Sequence, residues 1–466
     1  MIELYWKNAT REAIGEPHGI TQGELSGLGE KMTRAQRAVD GQARQGKLGY
    51  TTLPARRDYR DGVAALVAKL KPGCGDLVVL GIGGSALGNI ALQAALNPAT
   101  YNLQSDGSRG GPRLFVLDNV DPALLKDTLA LLSRRLSKAV FNVISKSGET
   151  AETASQFMII RELLRDRLGA DFAKHIVATT DAEKGTLNKI ARQDGYAMLT
   201  VPNDVGGRFS VLTQVGLFSA AMCGIDIDGL LAGAAAMADR CAADDWTNNP
   251  ACMLAAIHYL AYAQKGKPMH VMMPYSNRLY LLADWYRQLW AESLGKAVHR
   301  NGQPAFVGPT PIKALGTTDQ HSQVQLYREG PNDKLVIFVE VEKHPEDVRI
   351  PDVFADVPGL AYLAKQKMSK LLNAEKIATE FALAKSQRPS ITIRFPAITA
   401  ENVGAFIYLY EYTTSLMGEL LDVDAYDQPA VELGKKATFA LMGREGYEDV
   451  AKEMRPFTKP DKKYLL

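Results

Sequence analysis

The sequence contains few of the residues and segments that mark several large classes of protein. Its 466 residues include only four cysteines, with no CxxC pair and no framework spacing, which favours reduced and mostly buried thiols. The 54 Lys and Arg residues nearly balance the 52 Asp and Glu residues. This balance gives no indication of a polybasic surface for nucleic acid or membrane. An anionic ligand would therefore have to be bound by local geometry.

Long apolar runs and metal-ligand motifs are missing as well. The apolar stretch Val211–Ile225 is interrupted by Thr213 and Gln214 and is too short to span a bilayer. The first residues lack the basic-then-apolar layout of a secretory signal. The seven histidines are scattered, with no HxH or HExxH pair. We therefore expect a soluble cytoplasmic protein that uses no metal and no cofactor.

Short apolar or β-branched runs alternate with helical patterns along most of the chain. This alternation predicts βαβ units around parallel sheets, with ligand-binding loops at the carboxyl ends of the strands. The predicted strands are Leu77–Gly81, Arg113–Leu117, Ala139–Ile144, His175–Thr179, Ala197–Val201, His270–Met273, Leu335–Val341 and Ser390–Phe395. Because the chain exceeds one ordinary core, we predict a smaller domain over residues 45–215 and a larger one from residues 1–44 and 216–466.

A glycine-rich turn, Gly81–Gly88, follows the first predicted strand. Glycine lets the backbone approach a ligand, and free N–H groups at a helix start favour an anion, so Gly84 and Ser85 are candidate binding residues. The spacing also fits a loose dinucleotide fingerprint, which expects an acid about 20 residues further on. The nearest acid at a strand end, Asp118, lies 34 residues after Gly84. A tight turn that merely needs glycine is the other interpretation.

A second candidate loop follows the predicted strand Ala139–Ile144. Three hydroxyls, of Ser145, Ser147 and Thr150, lie around one helix start, where they can cap the helix or bind a phosphate. Simple capping is the ordinary alternative. Two such loops at strand ends of one sheet favour a phosphate cradle over two independent caps.

Two further stretches place charged groups in unusual settings. Two glycines, the second of them Gly207, precede Arg208, so the backbone can approach a ligand beside a fixed fork of donors. The alternative is a turn with a solvated arginine.

Glu292 lies at the end of a predicted helix and three residues after Leu289, so it flanks an apolar face. A partly desolvated carboxylate there could act as a general base, although most helix glutamates are solvated.

In chain order these motifs resemble those of the phosphoglucose isomerase family. The Ser-x-Ser-Gly-x-Thr loop is similar to the hallmark of the sugar-isomerase fold, and Asp204–Ser210 resembles the family pattern Asp-x-Gly-Gly-Arg-Phe-Ser. Glu292–Lys296, Gly316–His321 and Tyr426–Lys435 match three more family stretches. The resemblance implies an α/β fold of two doubly wound sugar-isomerase-type domains, with mainly parallel sheets and flanking helices.

The resemblance also implies an aldose–ketose isomerase that acts on glucose 6-phosphate and fructose 6-phosphate. Glu292 would move the proton through an enediolate that Arg208 stabilises, and His321 and Lys435 would assist ring opening. The substrate-binding residues would be Gly84, Ser85, Ser145, Lys146, Ser147, Thr150, Gly207 and Gln428. In this family the histidine reaches the neighbouring subunit's site, so a homodimer with shared active sites is expected.

Two other classes of function remain. A non-catalytic sugar-phosphate sensor would need the phosphate loops but would have no use for Glu292, Arg208 and Lys435 together. A nicotinamide-dependent oxidoreductase would fit the glycine loop, but Asp118 is too distant and the serine loop has no role in it.

Overall fold

The computed structural model describes all 466 residues and contains two five-stranded sheets and a two-stranded ribbon. The strands are β1 (Glu3–Tyr5), β2 (Asp76–Leu80), β3 (Arg113–Leu117), β4 (Ala139–Ile144), β5 (Ile176–Thr180), β6 (Ala197–Thr200), β7 (Met269–Pro274), β8 (Lys296–Val298), β9 (Pro304–Val307), β10 (Thr310–Lys313), β11 (Lys334–Val341) and β12 (Ser390–Phe395). Most pairs within the large sheets are parallel, so the predicted α/β class is confirmed.

Eighteen α-helices connect and cover the strands. They are α1 (Arg11–Ile14), α2 (Gln22–Gly27), α3 (Gly29–Arg44), α4 (Arg57–Leu70), α5 (Leu87–Leu96), α6 (Pro122–Leu132), α7 (Ala151–Leu168), α8 (Thr186–Asp194), α9 (Gln214–Met222), α10 (Ile227–Cys241), α11 (Pro250–Ala263), α12 (Tyr280–Leu294), α13 (Thr318–Ser322), α14 (Val324–Glu329), α15 (Met368–Lys385), α16 (Ala400–Leu421), α17 (Val431–Leu441) and α18 (Glu448–Met454). None of them is both long enough and apolar enough to cross a bilayer.

The first sheet has the strand order β3-β2-β4-β5-β6, and all of its pairs are parallel. Every residue of β2, β4 and β5 is buried, which explains why apolar residues predominate in their sequences. The chain moves from β2 to one side and from β4 to the other, so the order reverses between these two strands. A crevice forms at such a switch point, outside the carboxyl ends of the strands.

The second sheet has the order β1-β12-β11-β7-β10, and only the edge strand β1 runs antiparallel. The strands of the first sheet lie within residues 45–215 and those of the second within residues 1–44 and 216–466. The two-domain division itself stays a prediction. One hydrophobic cluster of 79 buried residues includes Leu77 from the first sheet and Ile337 from the second, so the sheets share a continuous core.

Candidate active site

A cavity of about 880 Å³ opens at the switch point between β2 and β4. Nine of the twelve predicted site residues line it: Gly84, Ser85, Ser147, Thr150, Gly207, Arg208, Glu292, Gln428 and Lys435. They come from five stretches that lie far apart in the sequence. The fold therefore collects into one place the motifs that the sequence showed only in chain order.

The glycine loop after β2 packs directly against the turn that carries Gly207. A Cβ atom on Gly84 would lie 2.2 Å from the carbonyl oxygen of Gly207, so no other residue fits without displacing backbone. Ser210 joins the two loops, since its hydroxyl donates to the Gly207 carbonyl at 2.6 Å and lies 3.4 Å from that of Gly84. These two loops form one rigid wall of the cavity.

The serine loop after β4 forms a second wall of the cavity. Ser145 is buried behind the cavity, where its hydroxyl lies 3.2 Å from that of Thr150 and accepts from the backbone N–H of Gly148 at 3.0 Å. Thr150 is the residue that precedes α7, but its side chain does not cap the helix. The first residues of this 18-residue helix, Ala151 and Glu152, line the cavity, and the free N–H groups of a helix start favour an anion.

Arg208 is held from several sides in the floor of the cavity. It is buried, and its Nε donates to the Ser293 hydroxyl at 2.7 Å. One Nη donates to the amide oxygen of Gln428 at 3.0 Å, and the other donates to the carbonyl oxygens of Ala425 at 2.6 Å and Asp427 at 3.1 Å. A guanidinium with this many fixed acceptors has one orientation.

Glu292 lies beside this arginine, at the last turn of α12. Its Oε1 is 3.4 Å from Nη1 of Arg208, and its Oε2 accepts from the side-chain amide of Gln288 at 3.0 Å. Burial lowers the pKa of Arg208 from its ordinary value, and the Glu292 carboxylate opposes that change. The Glu292 side chain is 27% exposed, so it faces the cavity while its neighbours fix its direction. Such a carboxylate can accept a proton from a bound molecule.

Lys435 reaches the cavity from the exposed helix α17. Its ammonium donates to the carboxylate of Glu432 at 2.7 Å, and both side chains are about half exposed. Because the pair lies on one helix turn and is open to solvent, the lysine can leave Glu432 for a ligand at little energetic cost.

Three predicted residues do not line this cavity. Ser145 lies behind it, as described. Lys146 points to a neighbouring cavity of about 420 Å³, where its ammonium donates to the carbonyl oxygens of Pro202 at 3.3 Å and Asn203 at 3.1 Å. His321 is exposed on α13 and is not part of its own chain's cavity.

Comparisons with known proteins address the family directly. The family model described as phosphoglucose isomerase matches residues 63–452. A glucose-6-phosphate isomerase of Carboxydothermus hydrogenoformans is 46% identical over 457 residues, which covers 98% of this chain and 96% of that protein. One of Rubrobacter xylanophilus is 44% identical over 432 residues, covering 92% and 96%. The chain belongs to the phosphoglucose isomerase family. The family that the motifs predicted is thereby confirmed.

Solved structures show the same fold as this phosphoglucose isomerase family member. A Thermus thermophilus protein described as hypothetical superposes with a TM-score of 0.83 at 36% identity, covering 95% of this chain and all of that one. A glucose-6-phosphate isomerase of Chlamydia trachomatis superposes with a TM-score of 0.74 at 23% identity, covering 92% of this chain and 80% of that one. The second likeness concerns the fold alone.

The cavity of this family member is also lined by residues that the sequence did not predict, among them Gln288 and Arg444. Gln288 lies one helical turn before Glu292, and a four-residue spacing on a helix was the signal that could have identified it. Its amide nitrogen is 2.9 Å from the position of a Cβ on Gly83, so it also contacts the glycine loop. Arg444 lines the cavity from the segment after α17, and no local sequence pattern marks it.

Proposed function

We propose that this chain interconverts glucose 6-phosphate and fructose 6-phosphate. The observation that carries the proposal is the pairing of Glu292 with Arg208 in a cavity whose walls are two loops suited to a phosphate. Membership in the phosphoglucose isomerase family supports the same reaction, as do the names of the relatives described above.

In this proposal the two loops bind the sugar's phosphate. The hydroxyls of Ser147 and Thr150, the first N–H groups of α7 and the glycine loop at Gly84 and Ser85 offer donors from two sides of the cavity. Binding at the phosphate is remote from the carbons that react. It can therefore be used to orient C1 and C2 toward Glu292.

Glu292 then moves a proton between C2 and C1 through an enediolate. As the carboxylate accepts the proton, negative charge passes from Glu292 to the substrate oxygens. Arg208 can stabilise this negative charge without moving, because Ser293, Gln428 and two carbonyl groups already fix its guanidinium. Preorganised charge of this kind is usually the largest contribution to catalysis.

Ring opening requires an acid and a base near the ring oxygen. Lys435 lines the cavity and takes one of these two roles. We assign the other role to His321 of a neighbouring copy. The exposed position of His321, outside its own cavity, supports this assignment because a partner chain could receive it. The proposal therefore includes a homodimer with shared sites, and a reaction that needs no metal.

The test is a coupled assay of purified protein with fructose 6-phosphate in the presence of EDTA, with mannose and arabinose phosphates assayed in parallel. We expect glucose 6-phosphate to form at the same rate with and without the chelator. Activity that disappears with EDTA and returns with a divalent metal would contradict the metal-free scheme. Turnover of another sugar phosphate but not of fructose 6-phosphate would contradict the proposed substrate specificity.

A further inference from the structure

The segment that carries Lys435 is weakly attached to the rest of the chain. In α17 only Ala440 is buried, and α18 has no buried residue. Large apolar side chains such as Leu433 and Met442 are 72% and 80% exposed. Apolar burial within the chain therefore contributes little to holding this segment over the cavity.

One polar contact joins the segment to the serine loop. An Nη of Arg444 donates to Oε2 of Glu149 at 3.1 Å, while the hydroxyl of Thr186 donates to Oε1 at 3.1 Å. Beyond the turn that leads into α17, this is the only hydrogen bond or ion pair between residues 431–466 and the remainder of the chain.

Neighbouring groups contact both partners of this pair. The guanidinium of Arg444 lies 4.5 Å from the ring centre of Phe439 and 5.8 Å from that of Tyr447, and the two rings meet edge to face. On the other side Glu149 immediately precedes Thr150 in the serine loop. Hydrogen bonds from Arg444 and Thr186 hold the pKa of the Glu149 carboxyl below its usual range, so the pair stays charged across neutral pH.

We propose that Arg444 is a positioning residue, whose pairing with Glu149 holds α17 over the cavity so that Lys435 reaches the substrate. The inference deepens the isomerase function proposed above and rests on it. Because Glu149 belongs to the loop that binds the phosphate, the contact links the phosphate end of the site to the group that assists ring opening. Neither Arg444 nor Glu149 contacts the reacting carbons in this scheme.

The test combines kinetics with hydrogen exchange in Arg444→Gln, Glu149→Gln, the double variant and the conservative variant Arg444→Lys. An exposed pair contributes modestly, so each glutamine variant should lower kcat/KM by about two- to fivefold. The double variant should lose no more than either single one, because all three break the same contact. Backbone amides of α17 should exchange faster in these three variants. Arg444→Lys keeps the charge and should recover much of both properties.

Lys452→Gln is the matched control, since it breaks the Lys452–Asp449 pair inside the same segment and should change neither measurement. Unchanged exchange in Arg444→Gln would overturn the proposal, because the contact would then not hold α17. Losses that multiply in the double variant would also overturn it, since the two residues would then act separately. The exchange measurement needs no turnover, so it can fail or succeed independently of the proposed isomerase activity.

Discussion

The guanidinium of Arg208 lies 3.4 Å from the carboxylate of Glu292, and the two residues come from chain segments 84 positions apart. Arg208 is almost fully buried, whereas Glu292 remains partly open to the cavity. A fixed positive charge thus lies beneath a carboxylate that a ligand can reach. The proton transfer proposed for Glu292 depends on that relationship.

Replacing Arg208 by lysine should lower kcat strongly while leaving phosphate affinity nearly unchanged. A lysine cannot reproduce the fork that contacts Ser293, Gln428 and Asp427 at once, so its charge would not stay below the enediolate. Loss of one such preorganised donor typically lowers kcat about 10²–10³-fold. Steady-state kinetics and inhibition by inorganic phosphate measure the two effects. A kcat within a fewfold of that of the unaltered protein would show that Arg208 does not have this role. The control is Arg165→Lys, at an exposed position of α7.

Replacing Gly84 by alanine should damage the site through the backbone. The added Cβ would meet the carbonyl of Gly207 at 2.2 Å, so the two loops would have to separate. We expect KM for fructose 6-phosphate to rise by tenfold or more, because in the proposed function the geometry of these loops positions the phosphate donors. Gly107→Ala is the matched control, since nothing lies within 4 Å of its new Cβ. Equal kinetics for the two variants would show that the close packing is not required.

A buried histidine pair should make the stability of the protein depend on pH. His258 and His270 lie in the core with their Nδ1 atoms 2.9 Å apart. Burial lowers the pKa of His270 to about 3 and that of His258 well below its ordinary value. The unfolded chain, with a histidine pKa near 6.5, therefore binds more protons below that pH, and stability falls as the pH drops from about 6.5 toward 3.

The size of this effect can be isolated by substitution. Each such histidine contributes up to about 1.4 kcal/mol per pH unit to the slope of the unfolding free energy. We expect His258→Gln to be less stable at pH 7 but to show a shallower slope between pH 6 and 4, measured by urea unfolding. A slope identical to that of the unaltered protein would contradict a neutral histidine pair in the core.

The shared site can be tested by mixing two inactive chains. His321→Ala and Glu292→Gln each remove one proposed group, so homodimers of either should be nearly inactive. If His321 acts in the neighbouring copy, a heterodimer formed after dissociation and reassociation has one site with both defects and one intact site. Activity should then return to as much as half of the unaltered level per heterodimer. No recovery, with heterodimers shown by mass spectrometry, would place His321 outside the partner's site.

The parallel strands could be predicted from the sequence because each is a short run rich in apolar or β-branched residues. Arg113–Leu117, Ala139–Ile144 and Ser390–Phe395 have the predicted bounds, whereas Asp76–Leu80 is shifted by one residue. The short strands β1, β8, β9 and β10 escaped prediction. They have three or four residues each, are partly exposed and so lack the apolar signal.

The site was predictable to the extent that motifs carry local geometry. Glycine and serine loops at strand ends must meet at the switch point, so their convergence followed from the fold class. The direction of the Lys146 side chain was not predictable, because it depends on the carbonyls of Pro202 and Asn203 in another loop. The contact between Arg444 and Glu149 joins residues 295 positions apart and has no local signature.

The central claim is that Glu292 transfers a proton between adjacent carbons, and solvent deuterium tests it most directly. Fructose 6-phosphate incubated with the protein in D₂O should accumulate deuterium at C2 of glucose 6-phosphate, seen by NMR. Glu292→Gln should lower both isomerisation and deuterium incorporation by about 10²–10⁴-fold. A Glu292→Gln variant with unaltered isomerisation and unaltered deuterium incorporation would contradict the account.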